Sequence, residues 1–278
     1  QKAINRDQPY ETTKRTVDLF RAHGVRSVNI DLVYGLPYQT VESFADTLEQ
    51  VLELNPDRLA VFSYAHVPWM KPAQKNLERE AALPTPDTKL AMLKLITETL
   101  TSRGYVYVGM DHFAKETDEL AVAQAARTLQ RNFQGYSTRA GAEILSFGIS
   151  AISQTPHSYR QNHKTLDPYY AALDRGEVPA TRGRELSEED ARRREIIMRV
   201  MCHLQLDYAA LSREFGFDFA ARYATELARL KPLADDGLVQ VSAGGVRVTE
   251  LGRLFLRNIA VCFDAYYAPE AKRHSRTV

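Results

Sequence analysis

The run Ser27-Val-Asn-Ile-Asp-Leu-Val-Tyr34, stopped by Gly35-Leu-Pro37, decides the reading of the first half of the chain. It is rich in β-branched and apolar residues and closes on turn residues, so it reads as a strand. A helical period precedes it: Thr13, Val17 and Phe20 recur at helical spacing, and Gly24 ends the helix. The unit then repeats. Val41, Phe44, Leu48 and Val51 share one helical face behind a capping Thr40, Asn55-Pro56-Asp57 stops that helix, and Leu59–Ala65 is the next strand. Thr85 caps a third helix with Pro86 in its first position; Leu90, Leu93, Ile96 and Leu100 form its buried stripe, and Tyr105–Met110 follows Gly104 as a strand. Alternating helices and strands imply an α/β fold with a parallel sheet. Three units are too few for a closed eight-stranded barrel, which leaves an incomplete barrel or an open doubly wound sheet.

The second half changes character. Pro156 to Arg184 is rich in turn residues and reads as a link between domains. Ser187-Glu-Glu-Asp190 is a helix start, with Ile196, Ile197, Val200 and Met201 buried behind it. Helices are expected at Tyr208–Phe215, Ala220–Ala234 and Leu251–Phe263. Leu238–Val241 and Val246–Val248 flank Gly244-Gly245 as a β-hairpin. Helices followed by a small hairpin suggest a winged-helix-like module. The expected division is residues 1–155 as an α/β unit, 156–185 as linker and 186–278 as a mainly helical domain.

Composition narrows the function classes. The 278 residues carry 36 Lys+Arg against 35 Asp+Glu, so no global charge excess points to nucleic acid or an acidic membrane. Residues 185–278 hold fourteen basic and fourteen acidic residues, which weighs against DNA binding by the winged-helix-like part. The most apolar stretch, Leu90–Leu100, is interrupted by Lys94, Thr97, Glu98 and Thr99, and no secretory signal is visible. Cys202 and Cys262 are the only cysteines and form no disulfide framework, so a reducing cytoplasm is expected.

In parallel α/β folds chemistry sits at the carboxyl ends of the strands. Here those ends carry Asn29, Asp31 and Tyr34, then Tyr64-Ala65-His66, then Asp111-His112-Phe113. Asp31, between Ile30 and Leu32, reads as a buried carboxylate needing a partner, either a loop hydrogen bond or a ligand. His66, Asp111 and His112 could be read as two histidines and a carboxylate around a metal, but adjacent strand residues point in opposite directions and metal-type spacing is lacking. Arg131-Asn-Phe-Gln-Gly-Tyr136 suits a loop approaching a ligand, and Gly148-Ile-Ser-Ala-Ile152 would let backbone approach a flat molecule. Cys202 and Cys262 read as packing residues.

Taken together, Val33-Tyr-Gly-Leu-Pro-Tyr-Gln-Thr40, Tyr64-Ala-His66, Gly109-Met-Asp-His-Phe-Ala114, Glu119-Leu-Ala-Val-Ala-Gln124, Arg131-Asn-Phe-Gln-Gly-Tyr136 and Asn258-Ile-Ala-Val-Cys-Phe-Asp264 resemble the oxygen-independent coproporphyrinogen III oxidase family, in family order and over nearly the whole chain. The resemblance implies the C-terminal part of an incomplete, partly TIM-like radical S-adenosylmethionine (SAM) barrel, followed by the helical domain. It implies a cytoplasmic, monomeric enzyme of anaerobic haem and porphyrin biosynthesis. Two propionates of coproporphyrinogen III would become vinyls, giving protoporphyrinogen IX, through a SAM-derived 5′-deoxyadenosyl radical. Two SAM molecules per site, a [4Fe–4S] cluster and a reducing electron donor are implied with it. The family's SAM contacts fall on Arg6, Asp31, Ala65 and Ile152. Lys115, Arg131 and Arg139 stand near segments that would meet the four propionates.

The family's cluster is held by a C-x-x-x-C-x-x-C motif, which Cys202 and Cys262 cannot supply. The Gly-rich SAM loop and an acidic SAM contact are also missing. Gln1 is therefore expected to be a truncation point inside the barrel, and this polypeptide alone is expected to be inactive. The rivals are a non-enzymatic haem-binding relative and an α/β metal hydrolase using His66 and His112. The Asp111-His112 and Asn132–Tyr136 segments argue against the haem-binding rival.

Overall fold

A computed structural model describes residues 1–78 and 83–267, and the chain divides into two compact units at Val122/Ala123. The first begins with α1 (Tyr10–Ala22), β1 (Asn29–Tyr34), α2 (Val41–Glu53) and β2 (Arg58–Ser63). After the short α3 (Lys75–Glu78) come α4 (Pro86–Ser102), β3 (Tyr105–Gly109), β4 (His112–Lys115) and the start of α5 (Glu119–Ala125).

The expected caps form. Thr40 accepts from the Ser43 N–H while Ser43 accepts from the Thr40 N–H, a reciprocal capping box, and Thr85 accepts from the Thr88 N–H with Pro86 behind it. Each cap satisfies a donor that the helix cannot, worth about 1 kcal/mol. Phe44, Leu48 and Val51 of α2 and Met92, Ile96 and Leu100 of α4 are buried. Tyr34 meets Phe44 edge-on, at a ring separation of 6.3 Å. Val17 of α1 packs with Val28 and Leu54, and Ile30 lies against them. The helices thus cover the sheet face that carries Ile30 and Tyr34.

The sheet order is β1-β2-β4-β3. β1 and β2 pair in parallel, Asn29 to Arg58 through Tyr34 to Ser63. The expectation of a purely parallel sheet needs correction here. β4 is inserted antiparallel between β2 and β3, so β3 keeps the sense of β1 and β2 without touching them. Its cause is a tight turn: Met110 (φ 48°) and Asp111 (φ 72°) both lie in the left-handed region, as a two-residue hairpin loop demands. Asp111 and His112 are therefore a hairpin turn and the first residue of a returning strand.

The second unit continues with the hairpin β5 (Gln130–Asn132) and β6 (Gly135–Ser137). Strands β7 (Ile152–Gln154), β8 (Ser158–Asn162) and β9 (Ala180–Glu185) form a three-stranded sheet, with α6 (Leu166–Asp174) between the last two. Residues 156–185, read from sequence as a linker, are thus an ordered antiparallel pair and a helix. Helix α7 (Glu188–Met198) starts in a Ser187–Asp190 capping box and runs into a π-helical turn, Arg199–His203, which ends at left-handed Leu204 (φ 59°).

Then follow β10 (Gln205–Asp207), α8 (Tyr208–Phe215), α9 (Phe219–Arg222), α10 (Ala224–Ala228) and α11 (Lys231–Asp235). The hairpin β11 (Val239–Ser242) and β12 (Gly245–Val248) forms as expected and gains β10 as a third strand. Single helices were expected over Ala220–Ala234 and Leu251–Phe263. The structure breaks the first into pieces, and α12 (Glu250–Arg253), α13 (Leu256–Ala260) and a 3₁₀ turn replace the second. Thr249 caps α12, and Gly252 is pressed so close to the residue before β11 that a Cβ there would lie 1.9 Å from the Leu238 carbonyl oxygen.

Candidate functional site

Alternation along β1 sends Asn29, Asp31 and Val33 to the face opposite the helices, where all three are exposed. Asp31 is therefore not the buried carboxylate that its apolar neighbours suggested; it accepts a 2.6 Å hydrogen bond from Asn29 Nδ2 and stands open to solvent. Such a carboxylate can accept from the hydroxyl or ammonium groups of a ligand. Phe62 and His112 share this face, meeting edge to face at 5.9 Å, and the His112 ring Nδ1 lies 2.6 Å from the Met110 carbonyl oxygen.

The carboxyl ends of β1, β2 and β3 lie together. The Tyr64 N–H donates to the Tyr34 carbonyl, and the Val61 N–H donates to the Asp111 carbonyl, both at 2.8 Å. Gly35 takes φ 82° with the Lys89 side chain 3.0 Å from where a Cβ would sit, so the turn after β1 is closed down onto that lysine. Lys89 Nζ reaches the Tyr64 carbonyl at 3.4 Å, and burial pulls its ammonium pKa down. Burial, with the Asp111 charge adding, pushes the Tyr34 hydroxyl up to about 12.

Each sequence-derived SAM residue has a local partner. Exposed Arg6 donates to Gln8 Oε1 at 3.3 Å. The Ala65 carbonyl accepts from Gln74 Nε2 at 3.1 Å, and the Gln74 Oε1 accepts from the Val67 N–H, which pins the loop after β2. The Ile152 carbonyl accepts from Ser146 Oγ at 2.6 Å. Arg6, Asp31 and Ala65 belong to the first unit and Ile152 to the second. Of the basic residues considered for propionates, Lys115 is committed elsewhere, to the Asn55 carbonyl and to Asp57 at 3.5 Å. Exposed Arg139 makes a backbone bond to Ser137 Oγ. Arg131 lines a cavity.

That cavity, about 420 Å³, lies wholly within the second unit. Phe133, Tyr159 and Tyr266 supply aromatic walls, with Ile197, Met198 and Met201 also lining it. The π-helical turn shapes this side: the Arg131 N–H meets Met198 Sδ at 3.1 Å and the Tyr136 hydroxyl donates to the Met201 carbonyl at 3.2 Å. Four arginines, at 131, 184, 193 and 194, face two aspartates, at 190 and 264. Arg184 and the Arg193-Arg194 pair carry no motif of their own; an arginine triplet at 192–194 following an acidic helix start is the signal the sequence holds for them.

The cysteines do not fit an iron–sulfur cluster. Both are buried free thiols, one within the π-helical turn and one in the last 3₁₀ turn, and burial pushes Cys202 up to about 12. No group of three or more His, Cys, Asp or Glu side chains positioned for a metal occurs among the described residues.

A four-stranded sheet with helices on one face, followed by a second unit of short sheets and helices, makes this an α/β protein. The chain superimposes with a TM-score of 0.93 on a solved structure of coproporphyrinogen III oxidase (HemN) from Escherichia coli, described as a radical SAM enzyme; identity is 46%, covering 96% of this chain and 61% of that one. Residues 186–255 match the family described as HemN C-terminal domain. The oxygen-independent coproporphyrinogen III oxidase of Helicobacter pylori J99 is 44% identical over 100% of this chain and 61% of its own length. That of Thermostichus vulcanus is 46% identical over 98% of this chain and 84% of its own length. The chain therefore belongs to the oxygen-independent coproporphyrinogen III oxidase family. It spans about three-fifths of the length of the Helicobacter relative.

Proposed function

We propose that the protein to which this chain belongs converts two propionates of coproporphyrinogen III to vinyl groups without oxygen, yielding protoporphyrinogen IX. The observation that carries this is the 46% identity over 98% of the chain to a relative of which it covers 84%. Bound SAM would supply the radical that takes a propionate hydrogen before carbon dioxide leaves. In this reading Arg6 pairs with an anionic group of SAM, Asp31 accepts from its polar hydrogens, and Ala65 and Ile152 contact it largely through backbone. Gln74, by holding both Ala65 and Val67, keeps that backbone in place. The cluster and its ligands lie outside this sequence, as does the electron donor, and no membrane or nucleic acid takes part. This polypeptide by itself is inactive.

The test is anaerobic turnover of coproporphyrinogen III by this chain and by the same chain placed behind the upstream segment of the Escherichia coli relative. Vinyl product only from the extended protein supports both statements. Product from the 278 residues alone would refute the second. Haem binding without decarboxylation by the extended protein would replace the enzyme with a haem-carrying relative.

A further inference from the structure

The cavity of the second unit holds charge that its own side chains do not neutralise. Arg193 is fully engaged: it donates to Glu189 and Glu226 at 2.8 Å and to the Phe263 carbonyl at 3.0 Å. Arg184 stacks on the Tyr266 ring at 4.2 Å, donates to that hydroxyl and has Asp190 at 4.0 Å. Asp190 is also taken up by the α7 cap and by the Tyr266 hydroxyl at 2.6 Å. Two guanidinium groups remain. Arg194 reaches only the Thr155 and Pro156 carbonyls, at 3.3 and 3.1 Å. Arg131 lies over the Tyr136 ring at 4.6 Å, and its buried Nη1 has no hydrogen-bond partner. Neither has a carboxylate partner among the described residues. A buried, unanswered guanidinium N–H is costly, and a carboxylate is its natural complement.

We infer that this cavity binds the propionate-bearing edge of a tetrapyrrole, with Arg131 and Arg194 holding two carboxylates and the Phe133, Tyr159 and Tyr266 walls covering the pyrrole rings. The inference rests on the proposed substrate and deepens it. The volume lies within the ordinary range for ligand pockets, and an apolar lining with a few convergent polar groups is the usual design for a flat ligand. The chemistry also selects which carboxylates are held. A guanidinium stabilises the carboxylate in the ground state and opposes its conversion to neutral carbon dioxide. Arg131 and Arg194 therefore hold the two propionates that survive the reaction, not the two that are lost.

The consequence is measurable with the stable oxidised porphyrins as probes, by fluorescence titration of the 278-residue chain. Coproporphyrin III and protoporphyrin IX share the retained pair, so they bind within about threefold of each other, and their methyl esters bind at least tenfold more weakly. Arg131→Gln and Arg194→Gln each weaken coproporphyrin III about fivefold or more, with Arg131→Lys recovering part of the loss. Asp264→Asn, which removes a negative charge from the lining, tightens binding about twofold and guards against a misfolded arginine variant. Esters that bind as well as free acids, or protoporphyrin IX binding over tenfold more weakly than coproporphyrin III, would overturn the inference. Turnover by the extended protein separates the two levels. A wild-type extended enzyme that makes product, with KM unmoved by both arginine substitutions, overturns the pocket alone. Porphyrin binding that depends on the arginines, without turnover, overturns the proposed reaction and leaves the pocket standing.

Discussion

Asp57 joins three elements through one carboxylate. It accepts from the Val28 N–H at 2.8 Å and pairs with Arg21 of α1 and with Lys115 of β4 at 3.5 Å. Burial alone would raise its pKa, but the Val28 hydrogen bond, Arg21 and Lys115 outweigh that and hold the carboxyl below its ordinary range. A depressed folded-state pKa means the stabilisation is present above the unfolded value, near 4, and lost as pH falls through the folded one. Asp57→Asn should cost about 2 kcal/mol at neutral pH, as loss of a charged, partly buried partner does, and should flatten the acid side of the stability profile. Urea melts at pH 7 and pH 3 check this: the variant and wild type should differ less at pH 3. The thiols give a second check at this scale. With Cys202 pushed up to about 12 by burial, its thiolate is scarce at pH 8. Labelling by a disulfide reagent should therefore track unfolding and not precede it.

Elements announced by chemistry in the sequence formed where it put them. Thr40, Thr85 and Ser187 cap their helices, and the strands around Asp31, Leu59 and Tyr107 exist. What was illegible has physical reasons. The β3–β4 hairpin turns on Met110-Asp111, a pair without the Asn-Gly signature of its turn type, so the strand that interrupts the parallel sheet left no trace. Asp31 looked buried because its sequence neighbours are apolar, yet a strand in a sheet covered on one side sends alternate residues to the open face. The helix expected over 220–234 overlooked Pro232, which opens α11 instead of continuing a longer helix, and the stretch from 251 to 263 divides between α12 and α13. Gly252 shows how tightly α12 packs. Gly252→Ala would force a Cβ to 1.9 Å from the Leu238 oxygen, so α12 must move off the Leu238 backbone. A loss of at least 3 kcal/mol is expected, read as a lower urea midpoint, whereas exposed Gly244→Ala, which meets nothing within 4 Å, should cost under about 1 kcal/mol.

At the scale of the molecule, the first unit ends its sheet on β1, a strand with β2 on one side and no other strand beside it among the described residues. Its helix-free face presents Val33 at 38% and Phe62 at 36% exposure, next to the Asp31 carboxylate. An open edge with an apolar face is a template for pairing with another chain, and natural sheets blunt such edges with charge. Asp31, one of the proposed SAM contacts, lies on this face. In this polypeptide it is available to a second copy. Sedimentation of the 278-residue chain should show self-association that dissociates on dilution. Val33→Lys, which places a charge on that face without entering the helix-covered core, should shift the midpoint about tenfold upward in concentration, ~1.4 kcal/mol. A 278-residue chain that remains monomeric at high concentration would mean that the charge of Asp31 already protects this face.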